Sequence, residues 1–399
     1  MRVGGGRHLT YCSNIHAGES WPEVDGAIRG ALPRIRTLLG HEGPLALGLR
    51  LSAEAASGLA QPDALAAFRA FLAEGGFYVP TINGFPYGAF HGRRVKERVY
   101  LPDWRDPARV TYSNTLADLL AVFVADAGLP LGSVSTVPGA FRTEITSDAG
   151  RQAVAASILR HVAHLVRLRE RTGATVALAL EPEPACLLES IRDAVAFFDA
   201  WLFNPALGST VGDEERVTLD RETIRRHVGV CLDACHMAVE FEDPADGLAA
   251  LDRAGIDVLK VQVSSALSLS GQTPAELATA LAPFVDETYL HQVVERHHGA
   301  FRRYVDLPDG LAAAGGQADQ SARDWRVHFH VPIFLERLQG FETTQPYLAA
   351  LLAQTRAKTP CTCYEVETYT WDVLPAEYRT VDICTAIARE LTWAREHLR

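Results

Sequence analysis

The feature that most constrains this chain is a repeated pairing of a short apolar run with a helical stretch. Runs lie at 7–16, 44–52, 77–84, 132–139, 174–184, 227–236, 257–265 and 361–371, and "ATVALALEPEP" at 174–184 is representative. Helical patterns follow them at 21–39, 63–74, 113–127, 148–171, 187–201, 245–253, 273–284 and 380–397. A strand that is apolar along its whole length has both faces covered, which is the mark of a parallel sheet flanked by helices. Eight such units predict an α/β fold, a closed (β/α)8 TIM barrel, rather than an open doubly wound sheet. No glycine-rich phosphate or dinucleotide loop follows the first strand, because "GGGR" precedes it.

Two segments exceed this pattern. Residues 84–111 form a long loop after the third strand. Residues 286–334, with "TYLHQVVE", "AFRRYVDL" and "WRVHFHVPIF", read as an inserted strand-rich segment between units seven and eight. Long loops in compact domains serve as lids or binding loops. With no repeat or linker, residues 1–399 read as a single domain.

Bulk properties narrow the function classes. A net charge of −11 leaves no basic face for phosphate backbones, so no nucleic-acid partner is expected. The chain holds 7 cysteines, most inside apolar runs, which implies buried reduced thiols and a reducing compartment. No leader-like stretch opens the sequence and no run approaches the ~20 apolar residues of a membrane helix, so a cytoplasmic protein is expected, with homo-oligomerisation open.

In a barrel of this kind the chemistry sits at the C-terminal strand ends. Polar residues do gather where the apolar runs stop. The first run ends in Asn14 and His16, the third in Asn83, the fifth in Glu181 and Glu183, and the sixth in Asp233 and His236. The seventh offers Lys260, Gln262 and Ser264, and the eighth Glu365 and Glu367. A carboxylate after "TVALAL" costs several kcal/mol unless it is paired or bound to a cation. Glu183 reads as turned away or touching the loop. Period-two spacing puts Glu365 and Glu367 on one strand face, with Glu365 deep enough to pair with Lys260. Three acids at one mouth repel each other, and a divalent cation (Mn, Mg, Co or Zn) resolves the repulsion. The metal-site candidates are therefore Glu181, Asp233 and Glu367. A further ligand comes either from Gln262 or from the histidines of "VHFHV", His328 or His330. Asn14, His16, Asn83, His91, Lys260 and His328 are the candidate substrate contacts. A zinc–cysteine cluster from Cys231 and Cys235 has compatible spacing, but both lie in a strand-like wall. Arg93, Arg94 and Lys96 are candidates for binding an anion.

"ALEPEP", "CLDACH" and "YEVETY" resemble the strand-five, strand-six and strand-eight motifs of the xylose isomerase-like TIM barrels. That superfamily includes sugar isomerases, ketose epimerases and endonuclease IV. The resemblance implies a divalent metal held by Glu181, Asp233 and Glu367. The superfamily's strand-seven histidine is replaced here by Gln262 in "LKVQVSS". More narrowly, "HLTYCSNIHAGESWPEV" at 8–24 is similar to the opening of the metabolite traffic protein EboE family, which is linked to moving or maturing secondary-metabolite precursors. "NGFPYGAFHG" and "LDACHMAVEFE" fit the same likeness.

These readings converge on a metal-dependent isomerase or epimerase of a sugar or hydroxy-carbonyl metabolite. Glu181 and Glu367 would remove and return a proton, and His236 would orient the substrate. The alternative is a non-catalytic protein that holds a metabolite in the same mouth. An endonuclease-IV-like phosphodiesterase needs more histidines and a basic surface.

Overall fold

The computed structural model describes residues 1–90, 94–316, 318–338, 340–358, 361 and 363–399. The strands in chain order are β1 (His8–Tyr11), β2 (Leu45–Arg50), β3 (Phe77–Asn83), β4 (Gly132–Thr136), β5 (Val176–Leu180), β6 (Val228–Asp233) and β7 (Val258–Val263). They continue with β8 (Leu267–Gln272), β9 (Val293–His297), β10 (Ala300–Tyr304), β11 (Arg323–Val327), β12 (Arg337–Leu338), β13 (Phe341–Thr343) and β14 (Cys363–Val366).

Eight strands form one parallel sheet in the order β1-β14-β7-β6-β5-β4-β3-β2. Its two edges meet. Cys12 bridges to Gly48, and the Thr10 hydroxyl donates to the Ala46 carbonyl at 2.9 Å. The predicted (β/α)8 barrel is the observed fold. Its strands are buried throughout, as in "VALAL" of β5, and each such Val or Leu contributes about 1.5–3 kcal/mol through burial.

Local chemistry sets the helix ends. The helix Asp148–Thr172 starts where the Ser147 hydroxyl accepts the Gly150 amide and stops at Gly173, whose φ of 74° suits a residue without Cβ. The helix predicted over 113–127 begins earlier, at Pro107, because Asp106 caps it and proline fits a first turn. Two helices, Pro205–Glu215 and Arg221–His227, occupy the stretch before β6 that carried no expectation.

The insertion differs in extent from the sequence reading. A six-stranded antiparallel sheet, ordered β10-β9-β11-β8-β13-β12, runs from Leu267 to Thr343 rather than over 286–334. The helix Pro274–Leu281 lies inside it and packs on the helix Leu307–Gly315, so it is not the seventh barrel helix. That place belongs to Gln345–Lys358, which packs against Pro244–Ala254. A capping box of Thr273 and Glu276 announces a helix but not the sheet on which it docks.

All seven cysteines are buried and none is in a disulfide. Among the described residues, no helix is long and apolar enough to cross a membrane.

Candidate metal centre

Three barrel strands end in acids that meet. Glu181 follows β5, Asp233 closes β6 and Glu367 follows β14. Their carboxylates lie within 4.8 Å of one another, all buried. The Asp-x-x-His spacing has a local cause. Asp233 caps the helix Ala234–Val239, and its Oδ1 accepts the backbone amide of His236, three residues on, at 3.1 Å. The same oxygen accepts the Ser264 hydroxyl at 2.6 Å, which leaves Oδ2 aimed elsewhere. Glu367 is held from the other side, where the Asn14 and Asn83 amides donate to its Oε1 at 2.7 and 3.0 Å.

The insertion delivers two histidines to this mouth. After β11 the chain stays extended, with the Val331 amide donating to the Ser265 carbonyl at 2.9 Å. His328 and His330 therefore face the site, while Phe329 between them packs on Phe284 and His291. Both histidines are buried, at 3% and 1% exposure, so they are not a surface hairpin. His330 Nδ1 donates to the Glu367 carbonyl at 2.8 Å, and its Nε2 lies 3.7 Å from Asp233 Oδ2.

Unpartnered atoms give the centre its character. Glu181 Oε2, Asp233 Oδ2 and His330 Nε2 are buried without a hydrogen-bond partner. Leaving a buried polar atom unsatisfied costs about 1–3 kcal/mol, and more for a charge. Asp233 Oδ2 and His330 Nε2, 3.7 Å apart, fit a divalent cation with oxygen and nitrogen ligands. Two groups of possible ligands, Glu181–Asp233–Glu367 and Asp233–His236–His330, share Asp233. Gln262 stands on β7 in register with Asp233 and Glu365. Both atoms of its buried amide also lack partners.

Burial pushes Glu181 well above the usual carboxylate range, and Glu367 and Asp233 add repulsion. Glu367 is raised in the same way, by burial and then by Asp233 and Glu365. Asp233 is buried too, yet its carboxyl is lowered, because the neighbouring histidines and the Ser264 and His236 hydrogen bonds outweigh desolvation. Burial lowers His330 to about 4 and His328 well below the ordinary value. Both imidazoles are therefore neutral at pH 7, the state that binds metals.

Beside the acids lies a hydrogen-bonded chain that sequence reasoning largely missed. Glu183 is buried in the pocket rather than turned away. Its Oε1 accepts the Tyr100 hydroxyl at 2.7 Å and the Gln292 amide at 3.1 Å. Gln292 Oε1 accepts His328 Nδ1–H at 2.6 Å. His236 Nδ1–H donates to the Pro182 carbonyl at 3.0 Å. Both Nε2 atoms of this pair thus face each other, 3.2 Å apart, as acceptors. Gln292 lies just before β9 and after a histidine, a pattern with no sequence signal of its own.

The pocket over these residues is lined by Asn14, Asn83, Glu181, His236, His328 and Glu367, among others. His16 is not in its lining and sits against the Tyr11 hydroxyl at 3.2 Å. Lys260 lies deeper, paired with Glu365 at 2.6 Å, both at zero exposure. His91 and Arg93 fall outside the described residues. Lys96 is committed to Asp306 at 2.7 Å rather than to an anion, and Arg94 pairs with Glu287 on the surface. Cys231 belongs to a small apolar cluster with Ala177 and Ala179. Cys235 packs with Val239, Ala266 and Val294, although its sulfur is close to His328 and His330.

No protein-family model matches the chain, and no curated protein matches it. The solved structures it resembles are TIM barrels. A xylose isomerase-like TIM barrel protein from Mycobacterium smegmatis, solved with magnesium, superposes with a TM-score of 0.52 over 100% of this chain and 98% of that one, at 11% identity. The probable 3-DHS dehydratase AsbF from Bacillus anthracis gives 0.48 over 96% and 97%, at 12% identity. Endonuclease IV from Thermus thermophilus gives 0.44 over 98% of each chain, at 15% identity. At such identities the likeness is one of fold.

Proposed function

We propose that this barrel is a divalent-metal-dependent isomerase or epimerase acting on a small hydroxy-carbonyl compound. The observation that carries the reading is the meeting of the buried Glu181, Asp233 and Glu367 carboxylates, whose ligand atoms lie within 4.8 Å of one another. Glu181, Asp233, His330 and Glu367 would hold the cation. Gln262 is the weaker candidate because a neutral amide oxygen competes poorly with an imidazole for a transition metal. Once bound, the cation would supply Lewis-acid polarisation of a carbonyl and its neighbouring hydroxyl.

The protein's own groups suit proton transfer next to that carbonyl. Glu181 and Glu367 reach the mouth from strands separated in the sheet by β7 and β6, so they flank a substrate from two sides. Burial raises both carboxyls in the metal-free chain, which favours their taking up a proton as a general acid–base pair must. Asn14 and Asn83 fix Glu367 by binding Oε1. His236, in the pocket lining, orients a substrate hydroxyl through Nε2. The resemblance of residues 8–24 to the EboE family supports a place in handling secondary-metabolite precursors. The net charge of −11 disfavours a phosphodiesterase acting on nucleic acid.

Metal analysis of protein purified without chelators tests the reading. One Mn, Mg, Co or Zn ion per chain, lost in Glu181→Gln, is the expected result. Protein that stays metal-free after soaking in Mn²⁺ and Zn²⁺ would point instead to a metabolite-holding role for the same mouth. Full turnover by Glu181→Gln on an identified substrate would remove Glu181 from the chemistry.

A further inference from the structure

The pocket is divided. Its floor carries the acids and histidines described above. The wall facing them carries Phe85, Pro86, Phe90, Val95, Val99 and Leu290. Phe90 also meets Tyr289 and Tyr369, with ring centroids 5.0 and 5.3 Å away.

Three polar side chains near this wall, Lys96, Tyr100 and Asn83, are already engaged. Lys96 Nζ donates to Asp306 Oδ2 at 2.7 Å and to the Asp286 carbonyl at 2.9 Å. The Tyr100 hydroxyl donates to Glu183. The Asn83 side chain gives its amide to Glu367 and its oxygen to the Phe85 backbone amide, at 3.0 and 3.1 Å. The wall is also built in place rather than loosely draped, since the Val95 and Lys96 amides both donate to the Thr288 carbonyl at 2.9 and 3.2 Å.

A polyhydroxylated substrate entering here would give up water from hydroxyls that Phe85, Pro86, Phe90, Val95, Val99 and Leu290 cannot replace. Each buried hydroxyl left unpaired is unfavourable, whereas an apolar or aromatic body gains from the same surface. We infer that the substrate is amphiphilic, with an oxygenated end on the acid–histidine floor and an apolar, aromatic-sized body against the Phe90–Val95–Val99 wall. This inference rests on the metal reading for the oxygenated end and extends it to the rest of the molecule. It separates this pocket from one built for a free sugar.

Three chelators with the same hydroxamate head test it by calorimetry on the full-length, Mn²⁺-loaded chain. Benzohydroxamate is expected to bind at least about tenfold tighter than acetohydroxamate, and D-gluconohydroxamate no tighter than acetohydroxamate. Val99→Thr keeps the wall's shape while adding a hydroxyl. It is expected to weaken benzohydroxamate several-fold and leave acetohydroxamate unchanged. Equal binding of the benzo and aceto compounds, or tightest binding of the gluco compound, overturns the inference. If no hydroxamate binds but benzyl alcohol still does, and Val99→Thr weakens it, the metal reading fails while the apolar wall stands. If benzyl alcohol fails as well, both fall.

Discussion

Two buried carboxylate sites share this barrel and answer the same electrostatic problem differently. Glu365 lies in the interior beside Lys260 Nζ at 2.6 Å, and Lys260 also donates to the Ser135 hydroxyl at 3.1 Å. Neighbouring backbone makes room for the pair. A Cβ on Gly48 would sit 1.6 Å from Glu365 Oε2, so β2 carries glycine there. One turn of the pleat higher, Glu181, Asp233 and Glu367 have no such lysine or arginine partner among the described residues. Glu365 is neutralised from within and serves the fold. The mouth acids meet within 4.8 Å of one another with no lysine or arginine paired to them among the described residues, which suits a cation from outside.

The contrast can be broken by mutation, and the largest effect is expected in the interior. Lys260→Ala strands a buried carboxylate and should cost about 3–5 kcal/mol in urea unfolding. A loss under 1 kcal/mol would show that the pair is not structural. At the mouth the same measurement should go the other way. Glu181→Gln removes a repelled carboxyl, so the metal-free chain should lose no stability, while calorimetry should show metal affinity falling by more than about a hundredfold.

A lone buried acid sharpens the comparison. Glu390 accepts the Thr368 hydroxyl at 2.7 Å and the Ile333 amide at 3.2 Å, and burial pushes its carboxyl up to about 7. The folded state thus holds this proton more tightly than the unfolded state. Its contribution is full below the unfolded value near 4.5 and is lost as pH rises through about 7. Glu390→Gln keeps the acceptor oxygen and should flatten that decline, leaving the variant roughly 1–3 kcal/mol more stable than the parent at pH 8. Identical pH–stability curves would dismiss the assignment. The smallest effect is expected at Asn83→Ala, which frees one side of Glu367 and should weaken metal binding about tenfold. An unchanged affinity would mean that Asn14 alone holds the carboxylate.

Much of this was readable from the residues because it is local. "ATVALALEP" places an acid at the end of a strand buried on both faces, whatever the rest of the chain does. "LDACH" encodes a strand end, a cap and a histidine three residues on, since an Asp at a helix start binds that backbone amide. "VHFHV" alternates, so its two histidines share a side. Lys260 and Glu365 are each one strand-period below a mouth residue, which is why their pairing could be anticipated.

Other features depended on packing between distant segments. Glu183 looked spare beside Glu181 until Tyr100, from the loop after β3, and Gln292, from the insertion, closed on it. The helix Pro274–Leu281 has every local mark of a barrel helix but docks on the inserted sheet. The sequence by itself determined the eight strand–helix units, the strand-end acids and the period that pairs the histidines, because burial and backbone period act over a few residues. Only the tertiary structure decided that His330 meets Asp233 and that an apolar wall faces the acids. Those contacts join segments that the chain leaves far apart, and no local period reports them.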